Sequence, residues 1–373
     1  MPSDGELVRT KISKVGYLGY SDNLLHPGDR RMIVPWAKAR NYEITSWDDP
    51  TAEIVILSAR ASLQQVRKSA NRIPTIFVVL DGYSSACPLW RDLGRNFIKA
   101  IQGESSRWFG RYSQEVLSSA CASHITICGS LEQQVLLASQ GVPVVKPLLA
   151  SSQEFSVPPV QRLRDGSKDL PIRFLWEGMI PSVESIGLVV EALNLFSRQV
   201  GRLCHLSVFS DLQYFSVSNR FVKRKSIKVL QKVLAKAEFS WSLHRWELLS
   251  LAKQAESSDI FLVPVNPSFE LASLKPENRI MIGWRLGLPV LCSETPSHSR
   301  VQAHLDLPMC ASTTEEWLKL ITDYATSQTL RELNLERGRS YLDRFGSDEK
   351  LFSGLDASAS EAIRRYLSGV RSG

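Results

Sequence analysis

Apolar and polar positions alternate along the chain between two kinds of segment. Continuous apolar runs such as "AEIVILSA" and "TIFVVLDGY" predict strands that are buried on both faces of a sheet. Segments such as "SLQQVRKSANR" and "SLEQQVLLASQG" have helical periodicity. The second begins at Ser130, has Gln133 in the capping-box position and ends at Gly141. This succession predicts a parallel α/β sheet with helices on both faces.

The alternation stops once, near the middle of the chain, and then restarts. Residues 151–171 are rich in Ser, Pro, Gly and charged residues and have no periodicity, which predicts an exposed linker. A second series runs from "IRFLWEG" to "PVLCSE", and a helical tail follows it. We therefore expect an α/β fold with two Rossmann-like doubly wound domains, residues 1–160 and 171–345. A C-terminal helix, residues 346–373, is expected to pack back across both.

Composition and charge restrict the class of protein. The chain has 373 residues, 43% of them hydrophobic and 22% charged, which is typical of a globular protein of two domains. The net charge of +7 is spread along the chain, and the densest basic run is "NRFVKRKSIKVLQKVLAK", residues 219–236. Its pattern predicts an amphipathic helix. We favour a solvated face, with a peripheral membrane or polyanion contact as the alternative. No nucleic-acid-binding motif is present in the sequence, so no nucleic-acid partner is expected.

The sequence gives no support for a membrane-spanning, secreted or cysteine-stabilised protein. No apolar run approaches the roughly 20 residues that span a bilayer, and the N-terminal segment has no apolar signal-peptide core. We expect a cytoplasmic protein, with the inner face of the membrane as a peripheral alternative. The six cysteines are scattered without a C-x-x-C pair, which favours reduced thiols and gives no metal site.

The stretch "KPENRIMIGWRLGLPVL", residues 275–291, contains the clearest candidate chemistry. Its pattern predicts a short helix with Pro276 at the first position and Gly287 just past the end. Lys275 and Arg279 then flank the positive end of the helix dipole, where cations are unfavourable unless an anion binds there. Free N–H groups and two cations would form a phosphate cradle. The alternative is an ordinary helix start whose cations pair with Glu270, Glu277 or solvent.

These residues resemble the donor-binding domain of GT-B fold glycosyltransferases, especially the retaining family-4 type of a bacterial subgroup. The resemblance lies in "IFLVPV", "PSFE", the helix and the "GLPV" segment from Gly287 to Val290. It implies that a nucleotide-diphosphate sugar binds the second domain and an acceptor binds the first. The acceptor would be a polysaccharide, a glycolipid or a small molecule, and no cofactor is expected beyond the donor substrate itself.

The residue pattern and the resemblance together indicate candidate site residues. Asp81 ends a buried strand and is the candidate base in the first domain, although capping of its own turn is an alternative. Glu270 is the second catalytic candidate, with a surface ion pair as its alternative. The expected donor-binding residues are Lys275, Asn278, Arg279 and Gly178. The expected acceptor-binding residues are Asp22, His26, Arg30 and Arg31. Trp36 and Trp284 are interpreted as core residues.

The chain departs from the family pattern at two places. The family's second glutamate lies five residues before the glycine of Gly-x-Pro-Val, and Ile282 occupies that position. The family's Arg and Lys after the first strand of this domain are absent from "WEGMIPSVES". Lys275, Asn278 and Arg279 would therefore bind the diphosphate, with metal-independent and retaining transfer. The alternative is a catalytically inactive protein of the same fold that binds a nucleotide or a glycan.

Overall fold

Two separate six-stranded sheets, both wholly parallel, form the framework of the protein. The structure is a computed structural model. It describes residues 12–80, 89–106, 108–157, 170–178, 184–211, 213–216, 222–267 and 271–369. Among these residues, no helix is both long enough and apolar enough to cross a membrane.

The first sheet has the strand order β2-β1-β3-β4-β5-β6. Its strands are β1 (Lys14–Leu18), β2 (Glu43–Ser46), β3 (Ile54–Ser58), β4 (Thr75–Val79), β5 (Ile125–Cys128) and β6 (Val145–Pro147). The helices of this half are α1 (Val34–Arg40), α2 (Leu63–Ala70), α3 (Leu89–Ile101), α4 (Tyr112–Ala122) and α5 (Leu131–Ser139). Every residue of β3, β4 and β5 is buried, as the continuous apolar runs predict.

The second sheet has the strand order β11-β8-β7-β12-β13-β14, beside a small antiparallel hairpin of β9 and β10. Its strands are β7 (Ile172–Glu177), β8 (Cys204–Ser210), β9 (Gln213–Ser216), β10 (Val222–Lys225), β11 (Ser240–Arg245), β12 (Ile260–Val263), β13 (Val290–Ser293) and β14 (Cys310–Ala311). The accompanying helices are α6 (Ile186–Val200), α7 (Ser226–Leu234), α8 (Leu248–Glu256), α9 (Asn278–Arg285), α10 (Pro296–Leu305) and α11 (Thr314–Thr326).

Two long helices, α12 (Gln328–Phe345) and α13 (Asp348–Leu367), end the chain. α13 crosses back to the first sheet, where Leu355 is buried in the same apolar cluster as Val15 and Trp36. The Trp36 indole N–H also donates to Asp356 Oδ1 at 2.7 Å. Two doubly wound α/β units with a returning helical tail therefore form the fold, which confirms the predicted fold class.

The helix that connects β1 to β2 begins with an unusual turn. Asp29–Ile33 is a π-helical turn that continues directly into α1. Pro35 is the second residue of α1, and the helical backbone continues through it from the π-helical turn. The predicted helix is therefore formed despite the proline.

Three predicted features differ from the structure. Among the described residues of the basic run, Val222–Lys225 is a strand paired with Gln213–Ser216 and Ser226–Leu234 is the helical part, because the strand pairing overrides the local periodicity. The predicted linker is not exposed at its start: Phe155, in the 3-10 turn Gln153–Phe155, is buried in the core of the second half. Pro276 lies before the helix, because α9 begins at Asn278 with Glu277 as its N-cap.

Candidate functional site

The carboxyl end of β7 meets the start of α9 at the edge of the second sheet. Gly178 follows β7 and is buried there. A Cβ atom at Gly178 would lie 2.6 Å from the Trp176 ring and 3.0 Å from Nη2 of Arg279. A side chain at this position would collide first with the Trp176 ring, and the Arg279 guanidinium also comes close to the glycine.

A carboxylate accompanies this guanidinium. Arg279 Nε lies 3.9 Å from Oε1 of Glu177, and the two side chains are 23% and 9% exposed. Burial lowers the pKa of Arg279, and the negative charge of Glu177 opposes that shift. Arg31 of the first half acts in the same direction as burial, so cations from both halves are near each other. The other Glu177 oxygen, Oε2, accepts the indole N–H of Trp246 at 3.1 Å.

The first turn of α9 contains a buried polar atom. Oδ1 of Asn278 is buried and has no hydrogen-bond partner among the residues that the structure describes. Glu277, the N-cap residue, makes no side-chain cap bond to the helix. Its carboxylate instead accepts from the Tyr341 hydroxyl at 3.2 Å and from Arg300 Nη2 at 3.3 Å. Of these two partners, Arg300 carries the charge that offsets the Glu277 carboxylate.

A buried histidine lies near the same cations. His298 is 1% exposed, and its Nδ1–H donates to the Ser293 carbonyl oxygen at 2.8 Å. Since Nδ1 is the donor, the neutral ring has its lone pair at Nε2. Burial lowers the pKa of His298 to about 4; the bond to Ser293 opposes this, and the positive charges of Arg279, Lys275 and Arg300 add to it. Lys275 and Arg279 therefore act electrostatically on one buried ring.

The first half contributes two more cations at the junction. Arg30 Nη1 lies 3.3 Å from Glu154, and Arg31 Nε also bonds to Glu154. The Arg30 guanidinium stands 5.0 Å from the centre of the Trp246 ring, and Arg31 stands 4.5 Å from that of Phe155. Burial lowers the pKa of Arg30, and Glu154 opposes this. Both arginines thus reach the second half through Glu154 and aromatic faces.

The other predicted acceptor residues have local partners. Asp22 is exposed and pairs with Arg60 Nη1 at 2.7 Å. The His26 ring stacks on Tyr20 at 5.0 Å, and its Nδ1 accepts the backbone N–H of Gly28 at 3.1 Å. These contacts hold His26 within its own turn, and an acceptor role for either residue stays a prediction.

The loop that holds Asp22 and His26 is organised by a carboxylate that sequence reasoning missed. Asp29 is fully buried and accepts from the Tyr17 hydroxyl, from the backbone N–H of Tyr20 and from Ser21. The available signal was an acidic residue at the start of a predicted helix. Asp29 fixes the first loop at the carboxyl edge of the first sheet.

Two catalytic candidates, Asp81 and Glu270, lie outside the described residues, so their roles stay predictions. Ile282, at the position of the family's second glutamate, is 3% exposed and packs in the core of the second half. Beside Asp29, the sequence analysis also missed Glu177, Trp246 and His298. Of these three, Glu177 alone had a signal in the sequence, because it is a charged residue at the end of a buried strand. Trp36 and Trp284 are both buried, which confirms their interpretation as core residues.

The chain was compared with known families, sequences and solved structures. No family model and no curated protein sequence matches the chain. Among solved structures, HepE from Anabaena with UDP and glucose has a TM-score of 0.62 at 9% identity over 94% of this chain and 99% of HepE. A glycosyltransferase from Rickettsia africae has a TM-score of 0.61 at 12% identity over 95% and 99%.

TarM from S. aureus, in a complex that contains UDP, has a TM-score of 0.54 at 9% identity over 82% of this chain. The chain spans only 55% of TarM's length. At these identities the likeness shows the fold, and that fold is the GT-B fold of glycosyltransferases. The predicted GT-B architecture is therefore confirmed.

Proposed function

We propose that the protein is a glycosyltransferase that uses a nucleotide-diphosphate sugar, with the donor bound at the carboxyl edge of the second sheet. The observation that carries the proposal is the approach of Arg279 to the glycine backbone at Gly178, beside the start of α9. In open parallel sheets, ligands bind at this edge and against helix N-termini. Support comes from the structural neighbours, since HepE and TarM were each solved with UDP.

The donor diphosphate would contact Arg279, Lys275 and the free N–H groups of α9. The leaving nucleotide diphosphate develops negative charge as the sugar–phosphate bond breaks, and fixed cations stabilise that charge. Glu177 holds the Arg279 guanidinium in the absence of the donor. The unpartnered Oδ1 of Asn278 could accept a ribose or sugar hydroxyl. Since the protein supplies the cations, we propose metal-independent transfer, and retention follows from the family resemblance.

The acceptor, a glycan or glycolipid, would enter from the first half. Asp81 and Glu270 remain the proposed catalytic carboxylates, and Arg30 and Arg31 lie at the junction between the halves. Because Glu154 already pairs with both arginines, an acidic acceptor would compete with that carboxylate.

A second candidate function is nucleotide or glycan binding without catalysis. It is favoured by the core position of Ile282, where the family has a glutamate. The two functions share the donor site and differ only in turnover.

Two measurements test the proposal. In a thermal-shift screen of UDP-, GDP-, ADP- and CMP-sugars, at least one donor should raise the unfolding temperature, because a ligand of the folded state stabilises it. Hydrolysis or transfer of that sugar, followed with and without glycan acceptors, should then show turnover. Binding without turnover supports the second candidate, and the absence of binding by every donor contradicts both.

A further inference from the structure

Helix α3 has its polar and apolar faces reversed. Asp92 and Asn96 are each 1% exposed, whereas Trp90 is 71%, Leu93 40% and Phe97 46% exposed. The exposed apolar residues recur three or four positions apart, so they form one stripe along the helix. A helix that lies on a protein core normally buries this stripe, so the outward stripe needs a different explanation.

Specific hydrogen bonds hold the polar face inward. Asp92 accepts from the backbone N–H of Ser113 at 3.1 Å and from its hydroxyl at 2.5 Å. Asn96 Oδ1 accepts from the Ser105 hydroxyl at 2.8 Å. Because these buried polar groups have partners, the orientation of α3 is fixed by the fold.

The loop after α3 extends the same surface. Trp108 is 58% exposed and Phe109 is 88% exposed, and the Trp108 ring contacts Phe97 edge-on at 6.2 Å between centroids. We call the outward residues of helix and loop the α3 surface: Leu89, Trp90, Leu93, Phe97, Ile101, Trp108 and Phe109. Two tryptophans and two phenylalanines make it strongly aromatic.

Charge around the α3 surface is asymmetric. Residues 89–111 contain five Arg or Lys residues and two acids. Both acids turn inward: Asp92 bonds to Ser113, and Glu104 is bound by Arg60 and Lys99. The acids are therefore paired inward, whereas Arg111 is an exposed cation two residues after Phe109.

We propose that the α3 surface docks on an anionic lipid bilayer. Helices that lie in the membrane interface combine Trp, Phe and Leu on one face with Arg and Lys beside it, and anionic lipids attract the cations. Trp and Phe suit the headgroup boundary because their rings are large and Trp keeps a polar N–H. This surface is distinct from the basic run of residues 219–236. The inference does not depend on the proposed transfer reaction.

The surface also lies close in sequence to the predicted acceptor side. Nine residues separate the end of β4 at Val79 from the start of α3 at Leu89. Docking would therefore place a membrane near the carboxyl edge of the first sheet, where a lipid-linked acceptor could be reached.

Vesicle flotation of the full chain tests the docking. The wild type should float with vesicles that contain phosphatidylglycerol and less with pure phosphatidylcholine, and salt should weaken the binding. Trp90→Ser with Phe109→Ser should reduce the vesicle-bound to free ratio by about tenfold or more, because two exposed aromatic rings no longer enter the interface. Arg111→Glu should reduce binding only to the anionic vesicles.

A matched control replaces exposed leucines of the second half, Leu203→Ser with Leu249→Ser, which are 66% and 78% exposed. This control should bind like the wild type. Unfolding temperature and nucleotide-induced stabilisation should be the same in all variants, which separates docking from the donor site. Three outcomes would overturn the proposal: no flotation of the wild type, equal flotation of the aromatic variant, or a wild-type dimer that the aromatic variant abolishes.

Discussion

Arg279 and Glu177 face each other at the carboxyl edge of the second sheet, with 3.9 Å between Nε and Oε1. The carboxylate offsets the charge of a largely buried guanidinium before any anion arrives. A cation held in this way needs little reorganisation when a diphosphate binds, because its position is already set. Under the proposed function, their pairing links the stability of the free protein to the affinity for the donor.

Replacing the cations should weaken donor binding. Each charge-assisted contact contributes about 1.5–3 kcal/mol, so Arg279→Ala should reduce donor affinity roughly ten- to a hundredfold. Lys275→Ala should reduce it less, because an amine lacks the bidentate fork. Calorimetry with the donor found in the thermal-shift screen measures both. Arg285→Ala, on the same helix but at its other end, is the control and should keep the affinity. If the variant that combines Lys275→Ala and Arg279→Ala bound the donor as tightly as the wild type, neither residue would belong to the donor site.

Neutralising Glu177 should have opposite effects on folding and on binding. Glu177→Gln leaves a partly buried guanidinium without its counter-charge, which should lower the free energy of unfolding by about 1–2 kcal/mol. The same change removes a negative charge near the diphosphate and should raise donor affinity a few-fold. Urea unfolding with and without nucleotide measures both. Glu256→Gln, an exposed residue at the end of α8, should change neither quantity. A loss of both stability and affinity would show that Glu177 mainly orients Arg279.

A methyl group at Gly178 should be poorly tolerated. Its Cβ would meet the Trp176 ring and the Arg279 guanidinium, so Gly178→Ala should cost about 1–3 kcal/mol of unfolding free energy. It should also weaken donor binding by displacing Arg279. Gly94→Ala is the control, because a Cβ there meets nothing within 4 Å and alanine favours the α3 helix. Unchanged donor affinity in a folded Gly178→Ala variant would contradict the close approach.

Acid should destabilise the protein through His298. Its pKa is lowered from 6.5 to about 4 in the folded state, so between these pH values the unfolded chain binds a proton that the folded protein does not. Stability should therefore be insensitive to this group above about pH 6.5 and fall as the pH drops towards 4, by about 3 kcal/mol in total.

His298→Asn tests this dependence, because its amide can still donate to Ser293. The difference in unfolding free energy between pH 7.5 and pH 5, measured by urea denaturation, should shrink in this variant. His304→Asn, on the same helix α10, should leave the His298 contribution in place. An identical pH difference in wild type and His298→Asn would assign the acid sensitivity to other groups.

Local sequence rules predicted the framework of the fold well. The Ser130 hydroxyl accepts from Gln133 at the start of α5, as the capping pattern predicts. Gly287 adopts φ +69° after α9, and the bonds from Gly287 to Trp284 and from Leu288 to Gly283 close the helix end. These features depend on neighbours within a few residues, which a single sequence displays.

The features that were missed depend on distant partners. Glu177 contacts Arg279, about a hundred positions further along the chain, and no periodicity connects them. Residues 222–225 form a strand because they pair with β9. The helical periodicity of the sequence does not show this pairing. Phe155 is buried because the core of the second half extends under the predicted linker. At the site, Arg279 and Gly178 were predicted and are adjacent, whereas their carboxylate was not predicted.

The return of α13 to the first sheet has a consequence for how the chain is made. Leu351, Leu355 and Ala359 belong to the apolar cluster that contains Val15 and Trp36, so the first half lacks part of its core until α13, more than 300 residues later, has been synthesised. Domains usually fold in the order of their synthesis, but the core of this first half is completed only by α13, which is synthesised after the second sheet. Pairing residues more than 300 positions apart requires a long loop to close, which slows folding. During synthesis, the apolar surface of β1 and α1 would therefore stay exposed, and we expect chaperones to bind it.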